Sequence, residues 1–159
     1  MTRFIGIDPG LTVTGWGVIE GDGRGCRHIA HGVVRTKPSA GLAPRLLAIR
    51  DAVEAAARLW QAEDAAIELS FVGNNASSAL ALGQARAAAL IGLAEAGLAV
   101  HEYTPALVKQ TVAGYGQGEK SQVALMVRLQ LGLERTPSPA DAADALAVAL
   151  THWAHARFR

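Results

Sequence analysis

Apolar and polar positions alternate in short runs at the start of the chain. Residues 4–8 (FIGID), 14–20 (TGWGVIE) and 27–36 (RHIAHGVVRT) each read as a strand, with turns at Gly10 and in the Gly21–Gly25 stretch. Such close spacing predicts an antiparallel meander. The period then changes. Leu42, Leu46, Ile49, Val53 and Trp60 recur at helical spacing, with Arg45, Arg50, Asp51, Glu54 and Arg58 mostly off that stripe, which predicts a helix over 42–61. DAAIELSF (64–71) reads as a fourth strand and GLAVHEY (97–103) as a fifth. Between them, residues 75–96 form an Ala-rich helix, capped by Asn75, closed by Gly97 and apolar on nearly all sides. That pattern implies burial on more than one face, by close packing, by a subunit interface, or by both. SQVALMVRLQLGL (121–133) and SPADAADALAVALTHWAHARF (138–158) complete the helices, and AGYGQGEK (113–120) reads as a mobile loop. The order β-β-β-α-β-α-β-α-α predicts an α/β protein: a mixed five-stranded sheet with helices on both faces.

Composition narrows this picture modestly. A chain of 159 residues, half of them hydrophobic, is expected to be a single domain with a real core. Lys+Arg 15 nearly balances Asp+Glu 14, so net charge alone neither demands nor excludes a nucleic-acid partner. The single cysteine, Cys26, leaves no intrachain disulfide and no Cys-based zinc site. No basic segment followed by an apolar stretch and a cleavage site opens the chain. The longest apolar region, 79–100, contains Gln84, Arg86 and Glu95, and reads as a buried helix and strand rather than a membrane span. A cytoplasmic protein with no membrane partner is the expectation.

Four acids stand where a charge is unexpected. Asp8 ends the first strand just before Pro9-Gly10, Glu68 lies among Ile67, Leu69 and Phe71, and Asp141 and Asp144 open the last helix on one face. Each has a plain reading. Asp8 can start a turn, Glu68 can point to solvent, and Asp141 can close a capping box with Ser138 across Pro139. Asp144 resists such a reading, because it lies inside AADALAVAL, where an unpaired buried carboxylate is costly. A bound cation would offset that cost, and hard carboxylate oxygens favour Mg²⁺ or Mn²⁺ over Zn²⁺. If the final helix packs across the strands carrying Asp8 and Glu68, the acids converge. Such a cluster can hold two divalent ions about 4 Å apart and drive hydrolysis of a phosphodiester. Phe71, where the fourth strand meets a loop, reads as a core side chain or as an aromatic that stacks on an exposed base. Lys109 and Lys120, on either side of the Gly-rich loop, read as solvated or as phosphate-reaching.

The ordered stretches GIDPGLTVTGWGVI, AIELSF, NNASSALALGQAR, VKQTVAGYGQGEKSQV and PADAADALAVALTH resemble the RuvC family of Holliday-junction resolvases over nearly the whole chain. The resemblance implies a ribonuclease H-like fold and a homodimer that binds a four-way DNA junction. Each subunit would nick one of two like-polarity strands in recombination and repair, with Mg²⁺ required. Matched residue by residue, the catalytic and metal-binding centre falls on Asp8, Glu68, Asp141 and Asp144. Phe71 matches an aromatic near the junction centre, Lys109 and Lys120 match DNA-facing basic positions, and helix 75–96 matches the element that packs subunit against subunit. Asp141 stands at a position that can be His in relatives. The implied partner is the RuvA–RuvB branch-migration machinery. Three other readings remain open at this level: a nuclease acting on RNA–DNA hybrids, a junction-binding protein without catalysis, and a phosphotransferase-like domain of the actin and sugar-kinase type, which DPGLTVTG resembles.

Overall fold

The computed structural model describes residues 1–70, 73–114 and 119–156. Strands β1 (Thr2–Asp8), β2 (Val13–Gly21) and β3 (Cys26–Arg35) form the predicted meander, each antiparallel to the next. Strand β4 (Asp64–Glu68) joins β1 in parallel, and β5 (Val100–Tyr103) joins β4 in parallel, giving the order β3-β2-β1-β4-β5. Helices α1 (Leu42–Leu59) and α2 (Ala76–Glu95) cover one face. Helices α3 (Pro105–Ala113), α4 (Lys120–Gln130) and α5 (Ala140–Ala156) cover the other.

Strand alternation sorts the side chains between two cores. Ile5, Ile7, Ala65 and Ile67 meet Ile49, Val53, Ala89 and Leu93 on the α1/α2 side. Phe4, Ala66 and Tyr103 meet Val108, Val127, Leu146, Val148 and Leu150 on the other. Helix α5 is the central element of that second layer, buried continuously over Ala145–His152. It lies almost directly on the sheet backbone because β1 and β2 present glycines to it. A Cβ at Gly6 would overlap the Ala145 carbonyl oxygen, and one at Gly15 would overlap the Asp141 carbonyl oxygen.

Several boundaries differ from expectation. Strand β4 stops at Glu68 rather than running to residue 71, and Phe71 lies outside the described residues. Helix α3 is additional. Thr104 caps it by accepting from the Leu107 N–H at 3.2 Å, Pro105 is its first residue, and Gly114 closes it at φ +89°. Its nine residues bury only Val108 and Val112, a periodicity too short to stand out in the sequence. Helix α4 starts from a capping box between Glu119 and Gln122, so Ala113 and Lys120 of the expected loop 113–120 belong to helices, while residues 115–118 lie outside the described residues. Helix α5 begins at Ala140, with the Ala142 N–H donating to the Pro139 carbonyl at 2.9 Å. Asp141 is therefore its second residue, and does not close a capping box with Ser138 from the third.

Helix α2 has the predicted ends: Asn75 accepts from the Ser78 N–H at 3.1 Å, and Gly97 follows at φ +82°. Within one chain, however, it buries only Ala85, Ala88, Ala89, Gly92 and Leu93, while Leu80 is 63% exposed and Ile91 49%. By length and composition alone this helix could cross a membrane. Here it packs along α1, with Gly92 against the Arg50 carbonyl, and its Arg86 pairs with Glu102 of β5 at 2.5 Å.

Candidate active site

The two-residue period of the strands places Asp8 on the same face as Phe4 and Gly6, and Glu68 on the same face as Ala66. Parallel pairing of Ile7 with Ile67 then sets the two acids side by side at the ends of neighbouring central strands. Because Gly6 and Gly15 let α5 press onto β1 and β2, its first turns deliver Asp144 to the same place. Asp8, Glu68 and Asp144 line one cavity of about 140 Å³ with Lys109 of α3 and Lys120 of α4. Pro105, Val108, Val123 and Ala147 form its apolar wall. Asp141 is not among the lining residues, yet it lies close enough for its charge to act on Asp8.

The electrostatics follow from this crowding. The Asp8 carboxyl is pushed up to about 8, first by burial and then by Asp144, Glu68 and Asp141, with Lys120 opposing. Burial also raises Glu68; the Ser70 hydroxyl, which donates to its Oε1 at 2.6 Å, opposes this together with Lys120 and Lys109. Lys120 Nζ sits 3.2 Å from Asp144 Oδ2, and that carboxylate raises its ammonium. Four carboxylates thus face two lysines, an excess of negative charge built entirely from hard oxygen donors. That donor set fits Mg²⁺ or Mn²⁺.

The turn after Asp8 is pinned by groups that the sequence reading does not single out. Gly10 N–H donates to Thr14 Oγ1 at 3.2 Å, and the Thr14 hydroxyl donates back to the Gly10 carbonyl at 2.6 Å. Thr36 donates to the Leu11 carbonyl, and Arg45 Nε donates to Thr36 Oγ1 at 2.8 Å. Arg35, Lys37 and Arg45 border a second cleft at this end of the sheet. These residues carry no short motif; only pairing of Val13 with Arg35 brings the end of β3 to the turn. Of the predicted DNA-facing residues, Lys109 and Lys120 join the acidic cavity, whereas Phe71 is outside the described residues.

Acids gathered at the strand ends of a β3-β2-β1-β4-β5 sheet, with lysines beside them, define a metal-assisted nuclease class of ribonuclease H-like fold. Comparison with known proteins narrows the class. The family model for crossover junction endodeoxyribonuclease RuvC matches residues 4–152. The RuvC of Zymomonas mobilis is 51% identical over 152 residues, covering 96% of this chain and 90% of that protein. The RuvC of Chloroflexus aggregans is 47% identical over 150 residues, covering 94% and 92%. Thermus thermophilus RuvC in complex with a Holliday junction substrate superimposes with a TM-score of 0.93 at 39% identity, covering 99% of this chain and 96% of that one. The yeast mitochondrial Holliday junction resolvase, at 11% identity and a TM-score of 0.66, shares the fold. The chain belongs to the RuvC family of crossover junction endodeoxyribonucleases.

Proposed function

We propose that this RuvC-family endonuclease resolves four-way DNA junctions by paired, symmetric nicks, with Asp8, Glu68, Asp141 and Asp144 as its catalytic acids. The observation that carries the reading is the shared cavity of Asp8, Glu68 and Asp144 with Lys109 and Lys120, in which burial and like charges hold the Asp8 carboxyl at about 8. Thermus thermophilus RuvC, solved with a Holliday junction substrate, supports the choice of DNA.

The four acids would hold Mg²⁺, two ions per site, with Mn²⁺ able to substitute. When bound, such ions supply activation of an attacking water and charge stabilisation at the leaving oxygen. The chain's own groups do the rest. Asp8 and Glu68 hold their oxygens rigidly because each ends a central strand. Ser70 occupies one oxygen of Glu68 and so orients the other. Lys120 offsets the Asp144 charge and, with Lys109, lets a phosphate approach an otherwise repulsive centre. The apolar wall at Val108, Val123 and Ala147 keeps bulk water from one side of the cavity.

Phe71 would stack on a base near the junction centre. A homodimer joined through the α2 face would supply two sites for two nicks, and RuvA–RuvB would be its partner in the cytoplasm. The test is incubation with a synthetic four-way junction and Mg²⁺, followed by nick mapping, beside linear duplex and RNA–DNA hybrid. Symmetric nicks confined to the junction are expected. Preferential cleavage of the hybrid would favour a ribonuclease H activity instead.

A further inference from the structure

The face of the sheet that carries Asp8 and Glu68 at one end carries a second cluster at the opposite end. Asp64 begins β4, on the same face as Glu68 but four residues earlier, about 13 Å away along the strand. His101 shares a face of β5 with Tyr103 and is paired with Ala66, next to Asp64. His152 lies eight residues past Asp144, on the same stripe of α5. These three residues therefore meet beneath the far end of the helix that brings Asp141 and Asp144 to the catalytic centre.

We propose that Asp64, His101 and His152 form a second cation site, of the Zn²⁺ class, separate from the catalytic acids. Their ligand atoms all lie within 4.8 Å of one another. His152 Nε2 is 2.9 Å from Asp64 Oδ2, and His101 Nδ1 is 3.5 Å from Asp64 Oδ1. The phenol of Tyr103 meets His152 Nδ1 at 2.8 Å. That contact fixes the ring so that Nε2 faces the carboxylate, as a supporting partner commonly does for a metal-bound imidazole. His152 is fully buried, whereas the side chains of His101 (33%) and Asp64 (26%) keep some exposure. A cleft of about 270 Å³ bordered by Phe4, Asp22, Asp64 and Trp153 opens the Asp64 side of the cluster to solvent.

The chemistry of the donors sets the preference. Two imidazoles and one carboxylate suit Zn²⁺, Co²⁺ or Ni²⁺, whereas the all-oxygen catalytic set suits Mg²⁺. The two ends of α5 therefore sort two kinds of divalent ion. An ion at this end ties β4, β5 and α5 together and anchors the helix from which Asp141 and Asp144 project.

The test is titration of the full chain with Zn²⁺ in excess Mg²⁺, by calorimetry and, with Co²⁺ as a substitute, by visible absorption. Saturable Zn²⁺ binding is expected, weakened by more than about tenfold in His101→Ala and in Asp64→Asn. It should be unchanged in Asp8→Asn, which alters the acidic centre. It should also be unchanged in His31→Ala, which removes a member of the His28–His31 pair on β3, whose ring nitrogens lie 2.8 Å apart. X-ray absorption at the zinc edge of the wild-type chain should show imidazole ligands, a readout that does not depend on how the variants fold. Absence of Zn²⁺ binding, an all-oxygen ligand shell, or loss of binding in Asp8→Asn or His31→Ala with retention in His101→Ala would each overturn the proposal.

Discussion

The Asp8 carboxyl is strongly perturbed by the fold, and the sign of that shift makes a prediction. Its carboxyl rises from an ordinary 3.8 to about 8 in the fold, so between those values the native state binds more protons than the unfolded chain. The contribution of Asp8 to stability is therefore fully present below 3.8 and is lost as pH rises through about 8. Metal-free protein should lose thermal stability over that window. Asp8→Asn should flatten the loss and melt higher than wild type near pH 8, and melts in chelator across the range will check this. Mg²⁺ should restore wild type at high pH more than it restores the variant. On the proposed reading, Asp8→Asn, Glu68→Gln and Asp144→Asn should abolish nicking of junction DNA, because each removes a metal ligand, and should bind it at least as tightly, because none adds negative charge. A variant that nicks at the wild-type rate would remove its residue from the centre. Lys120→Ala should weaken binding and reduce the salt dependence by roughly one charge, read from affinities at several ionic strengths. Asp8, Glu68 and Asp144 are legible in the sequence because each interrupts an apolar run. Asp64, His101 and His152 are not, since each looks ordinary in its own stretch and only strand pairing and the docking of α5 join them.

At the scale of elements, α5 against β1 and β2 decides whether the acids meet. Close contact requires that the strands carry no side chain at the points where the helix approaches nearest, and Gly6 and Gly15 meet that need. Gly15→Ala places a methyl group on the Asp141 carbonyl, so the helix must lift at the end that bears Asp141 and Asp144. We expect a loss of about 1–3 kcal/mol by denaturant unfolding, accompanied by a larger loss of nicking than of junction binding. Gly23→Ala, where an added methyl meets nothing within 4 Å, should stay within about 0.5 kcal/mol of wild type. The meander, β4, β5 and the three long helices are legible because their periods run long enough to register. Helix α3 is not, although Thr104, Pro105 and Gly114 mark both its ends. One buried pair, Val108 and Val112, is too little pattern to distinguish a short helix from the loop beside it. The consequence is functional, since α3 carries Lys109 and supplies Pro105 and Val108 to the cavity wall.

At the scale of the whole molecule, one surface is unfinished. Helix α2 was expected to be buried on more than one face, and the single chain buries only part of it. Ala79, Leu80, Gly83, Ala87 and Ile91 remain exposed along one side, and Ala87 and Ile91, with Leu46 and Leu47 of α1, border an apolar cleft of about 520 Å³. Small residues at 79, 83 and 87 permit another helix to approach closely, and a second copy of α2 offers the same stripe. Such a self-complementary contact generates two-fold symmetry, which two matched nicks on a symmetric junction require. Ile91→Arg places a charge on the exposed stripe without touching the acidic cavity, which lies across the sheet from α2. Sedimentation velocity should show the wild type as a dimer and the variant as a monomer, with Mg²⁺-dependent thermal stabilisation the same in both. The monomer should lose paired nicking of the junction far more than it loses stability. A wild-type chain that sediments as a monomer at assay concentrations, yet still nicks both strands in a single binding event, would remove this face from the mechanism.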